Sequence, residues 1–304
     1  TLPVTLFATL LTLSGCGSKS PQPDAVELTD DLGRTVSVAL PVGRIVTMAP
    51  NLTEITYAAG AGDRLVGVTT ADDYPPEVDS LPKFSALGVD FEAVLALKPD
   101  VVLATDQVNT PRDADMFDSL DIPVLYLSFS SVDDIFDGIR TVGRLAGTTE
   151  RAAEHASTLA AAIEDLRNRT AAAGDRPNVL FLISKERLFG FGSGSYVHTM
   201  IHAAGGNSVS ADMDVSAPVF SEEYVIEKAP DVIIGAFPEG TTARDLLAQY
   251  PAWSSVPAVR ENRVYTIDPD IVLRPGPRVV EGAYRMALLV HPSLFENDAS
   301  IVRR

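Results

Sequence analysis

One cysteine in 304 residues, Cys16, rules out an internal disulfide and any metal site built from several thiolates. Histidine is nearly as scarce at four residues, and there is a single tryptophan. Positive charge is thin: 24 Lys and Arg against 41 Asp and Glu leave a net charge of −17. The few basic residues are scattered, so the clustered cations that hold a polyanionic backbone are missing, and nucleic-acid binding is excluded. The apolar run at the start of the chain falls short of the ~20 residues that a membrane-spanning helix needs. What the chain does have is core material. Hydrophobic residues make up 46% of it, which excludes general disorder and suits about two domains of roughly 150 residues each.

The N-terminal run, TLPVTLFATLLTLSG, carries no charged side chain and leads into Cys16 and a polar stretch, Gly17-Ser18-Lys19-Ser20-Pro21-Gln22-Pro23. It reads as the hydrophobic core of a secretory signal. The junction Leu13-Ser14-Gly15-Cys16 resembles a bacterial lipobox, which implies a lipid on Cys16 followed by a flexible tether. Residues 1–25 are therefore expected to be a lipoprotein signal remnant and tether, touching the membrane only through that lipid.

From residue 26 short β-branched runs alternate with helical stretches. Strands are expected at Arg44–Met48, Leu65–Val68, Val101–Ala104, Val124–Leu127, Asn178–Ile183, Val232–Gly235 and Arg263–Ile267. Helices between them imply right-handed crossovers and mainly parallel sheets, an α/β fold. Ahead of this pattern, Asp30-Asp31-Leu32-Gly33 between two apolar runs predicts a hairpin.

The chain also repeats itself. Phe91–Ala104 reads FEAVLALKPDVVLA and Glu222–Gly235 reads EEYVIEKAPDVIIG, aligned at an offset of 131 residues. A period that long indicates two similar lobes, since solenoid repeats run about 20–50 residues. The lobes are expected at 26–148 and 174–304. Residues 149–173 between them place Ala156, Leu159, Ile163, Leu166 and Thr170 on one apolar stripe. That predicts one inter-lobe helix, on the order of 37 Å long if uninterrupted.

Lipobox, two pseudo-repeated lobes and one joining helix resemble a class III substrate-binding protein of an ABC importer, the family that receives cobalamin, haem and ferric siderophores. The segments carrying the resemblance are Ala49-Pro50-Asn51-Leu52-Thr53-Glu54, Asp73-Tyr74-Pro75-Pro76, the stretch around Glu92, Ala204-Gly205-Gly206-Asn207, and Arg274-Pro275-Gly276-Pro277-Arg278. The resemblance implies an exported, monomeric binding protein of the cell envelope, on the outer face of the cytoplasmic membrane or in the periplasm. Its partners would be an importer permease and a bulky metal chelate held between the lobes; no catalysis, resident metal or cofactor is implied. It also implies that Glu92 and Glu223, the acids paired by the internal repeat, dock onto permease arginines. Glu222 is a possible substitute. Two carboxylates on two lobes can each accept a bidentate guanidinium, although acids in a helix first turn are also favourable in their own right. Both acids are expected far from the ligand crevice and on one side of the molecule.

Ligands of two-lobe α/β proteins sit at the carboxyl ends of the strands. The loops there offer Asn51, together with Tyr74, Phe84, Phe191, Tyr196 and Phe220 as flat apolar surface; each aromatic suits a core equally well. Arg187, Arg274 and Arg278 suit anionic oxygens on the ligand, with Arg278 alternatively anchoring the last helix within its own lobe. Cobalamin or another corrinoid is the expected cargo, with a ferric siderophore second. The lone Trp253 is expected in a core, so the tryptophans of well-known cobalamin receptors have no match.

Rival readings are a ligand-sensing lipoprotein without transport and a hydrolytic enzyme. The glycine-rich Phe189–Tyr196 lacks both the Lys-Ser/Thr ending of a phosphate loop and a Gly-x-Ser-x-Gly nucleophile turn. It is expected to form a tight turn where ligand approaches backbone. His198 and His202 stand one helical turn apart without the intervening Glu of a zinc peptidase.

Overall fold

The computed structural model describes residues 25–296. Cys16 and the rest of the expected signal and tether through residue 24 lie outside the described residues, as do residues 297–304.

The chain opens with the hairpin, β1 (Ala25–Thr29) antiparallel to β2 (Thr35–Ala39). Its turn is held by Asp30, whose carboxylate accepts the Leu32 and Arg34 N–H groups and grips the Arg34 guanidinium at 2.8–2.9 Å. The first lobe then runs β3 (Ile45–Thr47), α1 (Pro50–Ala58), β4 (Leu65–Thr69), β5 (Lys83–Phe84), α2 (Phe91–Ala96), β6 (Val101–Ala104), α3 (Pro111–Asp118), β7 (Val124–Tyr126) and α4 (Val132–Ala146). Its strands form a parallel sheet in the order β5-β4-β3-β6-β7.

Helix α5 (Thr149–Ala171) leads to the second lobe. There follow β8 (Asn178–Ser184), β9 (Phe189–Gly190), α6 (Tyr196–Ala203), β10 (Asn207–Ser208), α7 (Glu222–Lys228), β11 (Val232–Gly235), α8 (Ala243–Gln249), α9 (Pro257–Arg260), β12 (Val264–Thr266), α10 (Pro269–Val272) and α11 (Val279–Val290). The second sheet has the order β10-β8-β11-β12, parallel, with β9 antiparallel on β8. Winding reverses between β3 and β6 in one lobe and between β8 and β11 in the other. In such open sheets that reversal is where ligands bind, beyond the carboxyl ends of the strands. Strands β6 and β11 are buried along their whole length, as continuous apolar runs in parallel sheets require.

The internal repeat extends to the backbone. Lys98 and Ala229, 131 residues apart, both adopt the left-handed conformation, at φ 48° and 45°. Each ends its helix immediately before Pro-Asp. The aspartate then caps the neighbouring strand: Asp100 Oδ2 accepts the Gly43 and Arg44 N–H groups, and Asp231 Oδ2 accepts that of Asn178. In return the Asp100 N–H donates to the Arg44 carbonyl and the Asp231 N–H to that of Asn178, both at 2.8 Å. The motif is thus one hydrogen-bonded unit, used once per lobe.

Helix α5 buries Ala152, Ala156, Ile163, Leu166 and Thr170, while Leu159 is half-buried. It packs tightly on α4: a Cβ added to Gly143 would lie 2.2 Å from the Ala152 methyl. His155 Nδ1 bonds the Ala58 carbonyl of the first lobe, and Thr170 Oγ1 donates to the Ala203 carbonyl of the second. One apolar core joins Ile139 of α4, Ile163 of α5, Met200 of α6 and Met286 of α11. The joining helix is therefore embedded in a core shared by both lobes.

Candidate functional site

On the first lobe the loops leaving β3, β4, β5 and β6 enclose a cavity of about 380 Å³. Met48, Pro50, Ala71, Leu87 and Val108 line it beside Thr70, and its lining has no titratable side chain. Leu87 is 80% exposed and Val108 also stands open. In the second lobe the loop between β10 and α7 exposes Val215 and Val219. Exposed apolar side chains gathered at one place mark a binding surface, whereas single ones need no explanation.

Two arginine–carboxylate bridges cross between the lobes, and the first of them lines a separate cavity of about 510 Å³ together with Tyr57, Tyr74, His155 and Leu159. Helix α1 is buried over most of its length and Glu54 is its one charged residue; the side chain is 3% exposed, so the carboxylate needs a buried partner. Arg278, at the start of α11, supplies it through a bidentate bridge of 2.6 and 3.0 Å. The same guanidinium lies over the Tyr74 ring, 4.3 Å from its centroid. Burial pushes the Glu54 carboxyl above its usual range despite the bond from Arg278. Burial works against the charge on Arg278, but the bond to Glu54 together with the nearby charges of Glu54 and Asp270 more than offsets it and raises the guanidinium above its usual range. The approach of the second lobe uses Gly276, where a Cβ would come within 3.2 Å of Glu54 Oε2.

The second bridge is more open. Arg274 grips Asp73 through Nη1 and Nη2, at 2.5 and 3.1 Å, and its Nη2 also meets Asp270 at 2.9 Å. The bond from Arg274 holds the Asp73 carboxyl below its usual range. Behind it sits buried Asp72, accepting from the backbone N–H and hydroxyl of Thr69. Four carboxylates (Glu54, Asp72, Asp73 and Asp270) thus surround two guanidinium groups.

The structure sorts the expected ligand residues unevenly. Tyr74 is exposed and lines the cavity beside Glu54 and Arg278, and Arg187 is exposed on the second lobe. Arg274 and Arg278 are there too, but committed to acids of the first lobe. Anchoring of Arg278 within its own lobe is thereby corrected: its partner is on α1. Asn51 is buried, and its amide donates to the Pro275 carbonyl at 3.4 Å, so it joins the lobes. Phe84 and Phe220 are core residues, the latter stacked on Tyr224. Tyr196 is also buried, with its hydroxyl donating to the Val272 carbonyl. Phe191 is half-buried between Phe181 and Tyr196. These aromatics went inside because apolar area is worth more buried than exposed.

The glycine-rich loop is a tight turn, but the backbone that approaches it is the protein's own. A Cβ at Gly192 would lie 2.2 Å from the Val215 carbonyl oxygen, and the N–H groups of Gly192 and Ser193 donate to Ser216 and Met213. His198 and His202 have ring centroids 5.5 Å apart with the rings tilted by 54°, and Arg176 lies against the His202 ring nitrogen. Trp253 is fully buried against Tyr250.

Glu92 and Glu223 are both exposed, in the first turns of α2 and α7. Asp90 caps the Ala93 N–H of one helix and Ser221 the Tyr224 N–H of the other. The Glu223 carboxyl is held below its usual range by its own backbone N–H and by Ser221. Each follows a loop leaving the strand ends, after exposed Leu87 or Val219, so both stand on the strand-carboxyl side of their lobes.

Glu54 and Asp73 were not expected as partners for the arginines. The available signal was chemical: Glu54 is the one charged residue of the PNLTEITYA helix, and an acid buried there has to be paired.

Known proteins fit this architecture. An ABC transporter substrate-binding lipoprotein of Bacillus subtilis, YvrC, is 28% identical across 96% of both chains. A vitamin B12-binding protein of Pectobacterium carotovorum is 30% identical over 85% of this chain and 92% of its own. Among solved structures, the periplasmic vitamin B12-binding protein of Vibrio cholerae superposes with a TM-score of 0.72 at 26% identity, covering 87% of this chain and 99% of that one. A periplasmic haem-binding protein of Roseiflexus superposes equally well at 27% identity, over 83% and 98%. The profile of the periplasmic binding protein family matches residues 45–271, and the chain belongs to that family.

Proposed function

We propose that this protein captures one bulky, uncharged or cationic metal chelate between its lobes and hands it to an ABC importer permease. A corrinoid is the first choice and an uncharged or cationic ferric siderophore the second. The observation that carries this reading is electrostatic. The lining of the first-lobe cavity has no titratable side chain, and Arg274 and Arg278 are already matched by carboxylates, which leaves exposed Arg187 as the one remaining cation among the three expected arginines. A chelate bearing several anionic groups would meet more carboxylates than arginines, at a cost that low local dielectric increases. The vitamin B12-binding relatives support the corrinoid. Calorimetric titration with cyanocobalamin, ferrioxamine B, haem and ferric enterobactin tests the choice. Cyanocobalamin or ferrioxamine B should bind at least about tenfold more tightly than ferric enterobactin, a gap of roughly 1.4 kcal/mol. A preference for the catecholate complex would overturn it.

Attachment to the membrane through lipid on Cys16 belongs to the same proposal and is supported by the lipobox-like junction. One acyl chain holds a protein only marginally, whereas several hold it stably. Cys16→Ser should therefore move the protein from the membrane fraction to the soluble fraction. Its retention after a carbonate wash would refute lipid anchoring.

A further inference from the structure

The two bridges between the lobes differ in one respect that matters for binding. Glu54 is 3% exposed, so its carboxylate cannot reach water without leaving Arg278 and opening the interface. Asp73 is 58% exposed, so its carboxylate can turn into solvent and recover its hydration. Arg274, 19% exposed, has a second partner, Asp270, on its own lobe. With Asp270 holding one side of the guanidinium, losing Asp73 would leave the fork aimed across the crevice.

A planar guanidinium binds carboxylate and phosphate through the same pair of parallel N–H bonds. Asp73 therefore sits in the geometry that a ligand oxyanion would use. We infer that Asp73 is an internal competitor for Arg274, displaced when a single anionic group of the ligand takes its place. This rests on the corrinoid reading, because the phosphodiester of cobalamin supplies one such group. The arrangement sets a selectivity rule. One exchangeable arginine accepts one anionic group, while the buried Glu54–Arg278 bridge stays closed. Competition also lowers affinity for anions in general, since every candidate must outbid a carboxylate already in place.

The test compares cyanocobalamin with cobinamide, which carries the corrin ring without the nucleotide loop and its phosphodiester. Asp73→Asn removes the competing charge and keeps the shape. It should raise the cyanocobalamin-to-cobinamide affinity ratio about three- to fivefold, the scale of an exposed ion pair. Arg274→Gln should collapse the ratio toward one. An unchanged or lower ratio in Asp73→Asn would overturn the inference, and a general disturbance of the crevice would move both ligands together and leave the ratio unchanged. A second arm uses inorganic phosphate and the Arg274 Nε–H resonance, assigned by its loss in Arg274→Lys. That resonance should respond at lower phosphate concentration in Asp73→Asn than in the unsubstituted protein; response at equal concentration counts against competition. If the unsubstituted protein binds neither corrinoid, the corrinoid reading fails, and the phosphate arm still decides the role of Asp73.

Discussion

Arg278→Gln should cost about 3–5 kcal/mol of unfolding free energy, because it strands a buried carboxylate without its partner. Glu54→Gln should cost less. Its side chain is 3% exposed against 19% for Arg278, so the arginine left behind can reach water and still lie over Tyr74. Replacing both with leucine should recover most of the loss, since well-packed apolar pairs match buried ion pairs in stability. Acidity adds a diagnostic. Burial raises the Glu54 carboxyl above its usual range, so the folded state holds its proton more tightly than the unfolded chain. The stabilising contribution of that proton is present at low pH and fades as pH rises through the folded value. Without Arg278 the folded value climbs further, and the damage from Arg278→Gln should shrink on going from near neutral to about pH 5. Urea unfolding at the two pH values measures it. A loss that does not depend on pH would mean that Glu54 is not left charged and buried.

The double substitution Glu92→Arg/Glu223→Arg should abolish uptake of the chelate by cells while the purified protein keeps its affinity. Both acids are exposed in helix first turns and contribute to no ion pair among the described residues, so folding should be indifferent to them. Truncating one member of a hydrogen-bonded interfacial charge pair costs about 2–5 kcal/mol, mostly through faster dissociation. Reversing two replaces attraction by repulsion on both lobes. Growth on the chelate as sole source, alongside titration of the purified variant, separates the two effects. Normal uptake would reduce the pair to ordinary first-turn acids and favour a sensing role.

Much of this architecture was legible before the structure. The long strands declared themselves as runs such as VVLA and VIIG, and the offset of 131 residues disclosed two lobes. Strands β5, β9 and β10 did not, because two residues are too few for a period to register. The α5 stripe was legible because four of its five expected members are buried. The site was harder to read. Aromatics in loops after strands look alike in sequence whether they face ligand or core, and Phe84, Tyr196 and Phe220 fell to the core. The arginines were found, but not their partners, since a contact spanning 201 or 224 residues leaves no local pattern. Position relative to the crevice also needed topology: helix first turns lie at the same edge as strand carboxyl ends.

The core shared through α5 has a mechanical consequence for docking. That helix has no proline or glycine at which to bend, and α4, α6 and α11 grip it from both lobes. If Glu92 and Glu223 dock the protein onto its permease, they would act as the prongs of a rigid two-pin plug. Their spacing is set when the chain folds rather than when cargo arrives. A permease socket cut to that gauge would accept this protein and turn away paralogues with a different pin distance, whatever they carry.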